Sequence, residues 1–164
     1  MKEQFKTIHD NVFETPKWLF DSLNKEFDFK VDLACTKSNS KCDIGLYEED
    51  VDSLEVDWHA LSDGWMWLNP PYSPIKPWIE KAQSESRKGA KIVCLIPPII
   101  TTRYFSKIPP AQIRFIVGRV NFYRNGIEQV GNTSDSCIVI YSPPIKPDIV
   151  YVNRDDIKKS ATNT

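Results

Sequence analysis

Asn69, Pro70, Pro71 and Tyr72 form an unbroken run directly after the bulky apolar segment Trp65-Met66-Trp67-Leu68. That segment reads as a short buried strand. Two prolines end it, because neither donates a backbone hydrogen bond. A polar amide is thereby set where a core strand stops, ahead of a rigid kink and an aromatic ring. The Asn69 side chain and the Pro70 carbonyl are two acceptors on fixed backbone, and Tyr72 is a flat face beside them. Such a group suits a planar ligand carrying an NH2, and adenine with its exocyclic N6 amine fits.

The chemistry follows from the amine. The N6 lone pair is delocalised into the purine ring, so the nitrogen is a poor nucleophile. Acceptors on its two N–H bonds favour a more tetrahedral nitrogen and act where charge develops. A methyl sulfonium held in line would complete a transfer by positioning. No general base is needed beforehand, and neither His nor Cys lies inside the run. Taken alone, the tetrapeptide is equally a Pro-Pro turn with a packed Tyr, so its surroundings decide.

Asn69-Pro70-Pro71-Tyr72 resembles the catalytic tetrapeptide of S-adenosylmethionine-dependent amino-methyltransferases. More of the chain is similar to one branch, the small phage-type DNA N6-adenine methyltransferases. The matching pieces are Thr15-Pro16 through Leu23, Val31-Asp32-Leu33-Ala34, the Asp52–Trp58 stretch, the tetrapeptide, Thr102-Arg103-Tyr104-Phe105, and Gly118-Arg119 through Phe122. They come in the family's order across about residues 13–142. The resemblance implies an α/β class I methyltransferase (Rossmann-like) fold, a mostly parallel sheet with helices on both faces, the last strand antiparallel. It implies methyl transfer from S-adenosylmethionine to adenine N6 in double-stranded DNA, after the base is flipped from the stack. Asn69, Pro70, Pro71 and Tyr72 would be catalytic. Thr15, Pro16, Asp32, Ala34, Asp52 and Asn69 would bind the cofactor. Arg103, Arg119 and Arg124 are the expected DNA contacts. The family generally has a glycine-rich turn after the first strand, where this chain has Ala34 and Cys35. Other readings of the same motif are methylation of RNA adenine or of a protein glutamine amide, and a non-catalytic nucleic-acid-binding relative.

The bulk numbers bound what must position these residues. At 164 residues with 41% hydrophobic content, one globular domain with a sizeable core is expected. No apolar run approaches membrane-spanning length and no signal peptide is evident. A cytoplasmic protein without membrane contact is expected, in the bacterial host if the gene is a phage's. Cys94 and Cys137 sit in apolar runs and read as reduced core residues. Cys35, Cys42 and His59 are the one set whose types could suit zinc, and no metal is expected. The net charge is −1, which does not mark a nucleic-acid binder, but the charge is uneven. Glu48, Glu49, Asp50, Asp52, Glu55 and Asp57 precede the tetrapeptide, whereas Arg103, Lys107, Arg114, Arg119 and Arg124 follow it. An acidic region for a cationic cofactor and a basic one for phosphate would give this pattern, as would two solvated faces.

Residues 1–14 read as a loose arm, 15–147 as the catalytic domain and 148–164 as a peripheral tail. Thr15 and Pro16 suit the N-cap and first position of a helix carrying Trp18, Leu19, Leu23 and Phe27 at helical spacing. Phe29 to Cys35 reads as the first strand, with Asp32 near the carboxyl end where α/β sheets bind ligands. Residues 36–64 show no clear second βα unit; Tyr47 and the acids after it are candidates for the cofactor's ribose and base. Pro74 to Lys88 predicts a helix ended by Gly89. Lys91–Ile96, Ile113–Val117 and Ser136–Tyr141 predict strands, Thr101–Lys107 a short helix, and 118–135 a long loop. A chain this short lacks room for a recognition domain, so a short DNA site is expected, and a homodimer remains open.

Overall fold

The computed structural model describes residues 13–107, 110–143 and 148–162. The first twelve residues of the expected arm lie outside them.

Helix α1 (Lys17–Phe27) buries Leu19, Phe20, Leu23 and Phe27 on one stripe. It ends at Asp28 in the left-handed region, whose N–H bonds the Asn24 carbonyl. Strands β1 (Val31–Cys35), β2 (Ile44–Tyr47), β3 (Trp65–Leu68) and β4 (Lys91–Ile96) run parallel. Helix α2 (Lys76–Lys88) joins β3 to β4 and is closed by Gly89, whose φ of 112° suits glycine. Strand β5 (Gln112–Val117) follows. A two-stranded hairpin, β6 (Tyr123–Arg124) and β7 (Ile127–Glu128), then stands apart from the main sheet. Strand β8 (Cys137–Tyr141) runs antiparallel to both its neighbours, β4 and β5. Strand β9 (Asp148–Asn153) pairs parallel with β5, and helix α3 (Arg154–Thr162) closes the described chain.

The sheet order is β2-β1-β3-β4-β8-β5-β9. Its central strands are apolar throughout because both faces are covered. On β3, β4 and β8, alternate residues go to opposite sides. Met66, Leu68, Ile92, Cys94, Ile96, Val139 and Tyr141 join the core under α2. Trp67, Val93, Leu95, Ile138 and Ile140 join the core under α1. The mostly parallel α/β sheet with helices on both faces is thus present.

The differences from expectation have local causes. β2 is four residues long, half exposed and follows a turn-rich polar segment, so its apolar pattern is too short to stand out. Only Phe105–Lys107 of the expected 101–107 helix is helical, as one 3-10 turn. The 118–135 loop contains the β6–β7 hairpin, built on Asn125 and Gly126, both at positive φ. The segment expected as peripheral supplies the edge strand β9. Its helix α3 buries no residue yet meets α1 through a Ser22–Ser160 hydroxyl contact of 2.7 Å and Lys158 over the Trp18 ring.

Candidate active site

The carboxyl ends of β1, β2 and β3 open onto a cavity of about 300 Å³. Phe13, Ala34, Cys35, Leu46, Glu48, Val51, Asp52, Ser53, Trp78 and the whole Asn69–Tyr72 run line it. A crevice outside the carboxyl ends of parallel strands is where open α/β sheets hold ligands. A second cavity of about 280 Å³ shares Phe13 and Tyr72 as its wall. Its remaining lining comes from Phe122 and, beyond the hairpin, from residues 129–132 and 134–136.

Asn69 stands at the junction. β3 stops at Leu68 because two prolines follow Asn69. The side-chain amide nitrogen Nδ2 donates to the Phe13 carbonyl at 2.9 Å and to Thr15 Oγ1 at 3.1 Å. Both its N–H bonds are therefore used. No hydrogen bond to Oδ1 occurs among the described residues, so the amide keeps an acceptor while its donors are held. Pro70 and Pro71 continue the cavity wall.

Tyr72 meets Phe122 edge to face, ring centroids 6.1 Å apart. Its hydroxyl is buried without a partner among the described residues. Burial pushes the phenol far above its usual range, with a smaller push from Cys137. The hydroxyl thus stays protonated near neutral pH.

The expected cofactor residues separate into two groups. Ala34 and Asp52 line the first cavity with Asn69. Neither Ala34 nor Cys35 has positive φ, so this turn needs no glycine where the family generally has one. Asp52 Oδ1 accepts from Leu54 N at 3.0 Å, starting a 3-10 turn over Ser53–Glu55. Ser53 Oγ donates to the Leu33 carbonyl at 2.6 Å, and Trp58 Nε1 to the Ser53 carbonyl at 2.8 Å. These bonds hold the acidic wall against the end of β1.

Thr15, Pro16 and Asp32 do not line the cavity. Pro16 precedes α1 with extended backbone, and no side chain caps that helix, so Thr15 is not the cap its type suggests. Its hydroxyl oxygen is engaged by Asn69 instead. Asp32 is 2% exposed. Its Oδ2 accepts from Lys41 N at 2.9 Å and Oδ1 from Ala34 N at 3.4 Å. Burial raises its pKa to about 6, against the lowering effect of these two N–H groups. Asp32 is thus hydrogen-bonded to the chain reversal after β1 and does not line the cavity.

The acidic run is likewise sorted. Glu48 and Asp52 reach the cavity. Glu49 accepts from Lys37 N, and Asp50 and Asp57 pair with Lys37 and Lys88. Glu48 follows β2 directly, so the short strand that sequence periodicity misses is what sets this carboxylate at the cavity.

Among the basic residues, Arg119 pairs with Asp135, which lines the second cavity. Arg124 lies on the hairpin and Arg103 is exposed on the turn before Phe105. Arg114 is structural, forked onto Glu26 at 2.6 and 2.7 Å and lying over Phe27. Among the described residues, no group of three or more His, Cys, Asp or Glu is placed to hold a metal ion. No helix among them is long and apolar enough to cross a membrane.

Compared with known proteins, residues 2–163 match the model of a family described as DNA N-6-adenine-methyltransferase (Dam). The chain is also 26% identical over 149 residues to the "DNA N-6-adenine-methyltransferase" of Haemophilus phage HP1 (strain HP1c1). That similarity covers 87% of this chain and 84% of the phage protein.

Proposed function

The chain belongs to the DNA N-6-adenine-methyltransferase (Dam) family, and on that premise we propose that it transfers a methyl group from S-adenosylmethionine to N6 of adenine in DNA. The observation that carries this reading is Asn69. Its amide donors are engaged by Phe13 and Thr15, which leaves Oδ1 as an acceptor at a cavity wall.

The first cavity suits the donor. Its volume is at the lower end of small-molecule sites, and its lining is largely apolar with Glu48 and Asp52 on one side. Carboxylates complement a molecule that carries a sulfonium and an ammonium, and a ribose offers them hydroxyls. Bound there, S-adenosylmethionine supplies an electrophilic methyl group. The chain's own residues do the rest. Asn69 Oδ1 and the Pro70 carbonyl accept from the two N6–H bonds and draw the nitrogen lone pair out of the ring. Tyr72 presents its ring to the base, and Phe122 buttresses Tyr72 from its edge. The nitrogen would gain the methyl as the sulfur–methyl bond breaks with its electron pair left on sulfur, the donor would leave as the neutral thioether, and the nitrogen would give up one proton to solvent.

The second cavity is assigned to the target adenine. It lies across Tyr72 from the first and opens beside the hairpin. A base in a duplex reaches it only by leaving the stack, at a cost of a few kcal/mol. Arg103, Arg119 and Arg124 are assigned to the DNA backbone, the ordinary role of a surface Arg at such an interface. Arg119 gives up its bond to Asp135 in doing so. The antiparallel β8 between β4 and β5 in an otherwise parallel sheet supports the class I methyltransferase kind. For a relative of a phage enzyme, the place of action is the cytoplasm of the bacterial host.

The test is transfer of labelled methyl from S-adenosylmethionine to unmethylated DNA, RNA and protein offered in parallel. N6-methyladenine in DNA is the expected product. Label in RNA or on glutamine alone moves the substrate elsewhere, and binding of donor without transfer to any of the three refutes the enzymatic reading.

A further inference from the structure

We infer that Thr15 is a positioning residue for Asn69 and that the Phe13–Thr15 segment is part of the catalytic machinery; this rests on the reading of Asn69 given above. A side-chain amide has nearly the same shape in either orientation, so its neighbours decide which end is nitrogen. The Phe13 carbonyl can only accept, and Thr15 Oγ1 takes the second N–H. Together they hold Nδ2 toward the segment and turn Oδ1 away from it.

Thr15 is 3% exposed and lines neither cavity. Its hydroxyl caps no helix. Its effect on a reaction therefore runs through Asn69. The segment is itself fixed: Glu14 N donates to the Tyr123 carbonyl at 2.7 Å and Tyr123 N to the Glu14 carbonyl at 3.0 Å. On the other side the Pro16 carbonyl receives the first bonds of α1, from Leu19 and Phe20. The Asn69 orienter is thus braced between α1 and β6, the strand beside the second cavity. The arrangement also explains an amide at position 69. A carboxylate there would set an oxygen against the Phe13 carbonyl with no proton between them.

The test compares Thr15→Val, which keeps the shape and loses the acceptor, with Thr15→Ser, which keeps the acceptor. Single-turnover transfer is measured with saturating S-adenosylmethionine and DNA, and cofactor affinity by calorimetric titration, on protein shown to be folded. Thr15→Val is expected to slow transfer about fivefold, the scale of one neutral hydrogen bond, with cofactor affinity unchanged. Thr15→Ser is expected to restore the rate. Thr15→Ala, scored per folded molecule, replaces Thr15→Val if the latter does not fold. A weakened cofactor affinity at an unchanged saturated rate would instead put Thr15 at the cofactor and overturn the inference. So would a wild-type rate in Thr15→Val. Asn69→Ala is run alongside. Loss of activity there with none in Thr15→Val defeats only the positioning role, whereas an active Asn69→Ala defeats the site itself.

Discussion

Asp32, the second residue of β1, and Asn69, directly after β3, are two polar residues on neighbouring parallel strands, and they do opposite things. Both carboxylate oxygens of Asp32 are taken by backbone N–H groups, of Lys41 and Ala34, and the side chain is sealed off from the cavity. Asn69 has its donors taken and its acceptor left at the cavity wall. The difference lies in unspent hydrogen-bonding capacity and where it points. Fully satisfied, a buried polar group is structure; partly satisfied beside a cavity, it is equipped to bind.

This contrast predicts different failures. The largest effect belongs to Asn69→Ala. Removing one preorganised group that acts on developing charge costs on the order of 100- to 1000-fold in rate. Cofactor affinity falls far less, and single-turnover kinetics with saturating donor separates the two. Tyr72→Ala comes next. It removes a stacking face worth about 1–3 kcal/mol per base, read as weaker engagement of DNA carrying the target adenine. Tyr72→Phe keeps the face and loses only a hydroxyl that has no partner among the described residues, so it is expected to work.

Asp32→Ala breaks the other half of the comparison. It leaves the N–H of Lys41 without its acceptor, a loss of about 1–3 kcal/mol of stability, measured by urea unfolding. The pH dependence has a definite sign. Burial raises the Asp32 pKa from 3.8 to about 6 in the folded protein. The folded state therefore holds more protons than the unfolded one across that window, and the stabilising contribution of Asp32 declines as pH rises through it. The stability gap between wild type and Asp32→Ala should be wider at pH 4 than at pH 7. A gap that widens with pH would mean the carboxylate is favoured by its site.

The smallest effects lie on the DNA side. Arg119→Ala and Arg124→Ala should each lower the slope of binding against salt by about one unit if each meets one phosphate. A double variant with unchanged slope would move the DNA surface elsewhere.

Much of this was legible in the sequence, for reasons that separate by scale. The apolar runs of β3, β4 and β8 announce a sheet buried on both faces, and Pro70-Pro71 fix where β3 stops. The short β2, with one exposed, one buried and two half-buried residues, has no such pattern, so the acids after Tyr47 are candidates by type alone and only the strand shows that Glu48 reaches the cavity. The β6–β7 hairpin did carry a signal, the Asn125-Gly126 pair suited to a tight turn between strands, but two-residue strands have no periodicity to confirm it. Thr15 shows the limit most clearly. Its type and place suit a helix cap, yet its hydroxyl oxygen is used by Asn69, 54 residues away. Aspartate near a strand end reads as ligand-facing in the sequence, and only the course of the chain back to Lys41 shows that Asp32 is spent on the backbone.

The central claim is that Asn69, and not Asp32, carries the chemistry. Its most direct test is the single-turnover rate of methyl transfer to DNA for Asn69→Ala and Asp32→Ala, each scored per folded molecule with saturating donor. The account predicts that Asp32→Ala stays within a few-fold of wild type, on the scale of one neutral hydrogen bond, while Asn69→Ala loses on the order of 100-fold or more. A folded Asn69→Ala protein transferring methyl at near the wild-type rate would contradict it.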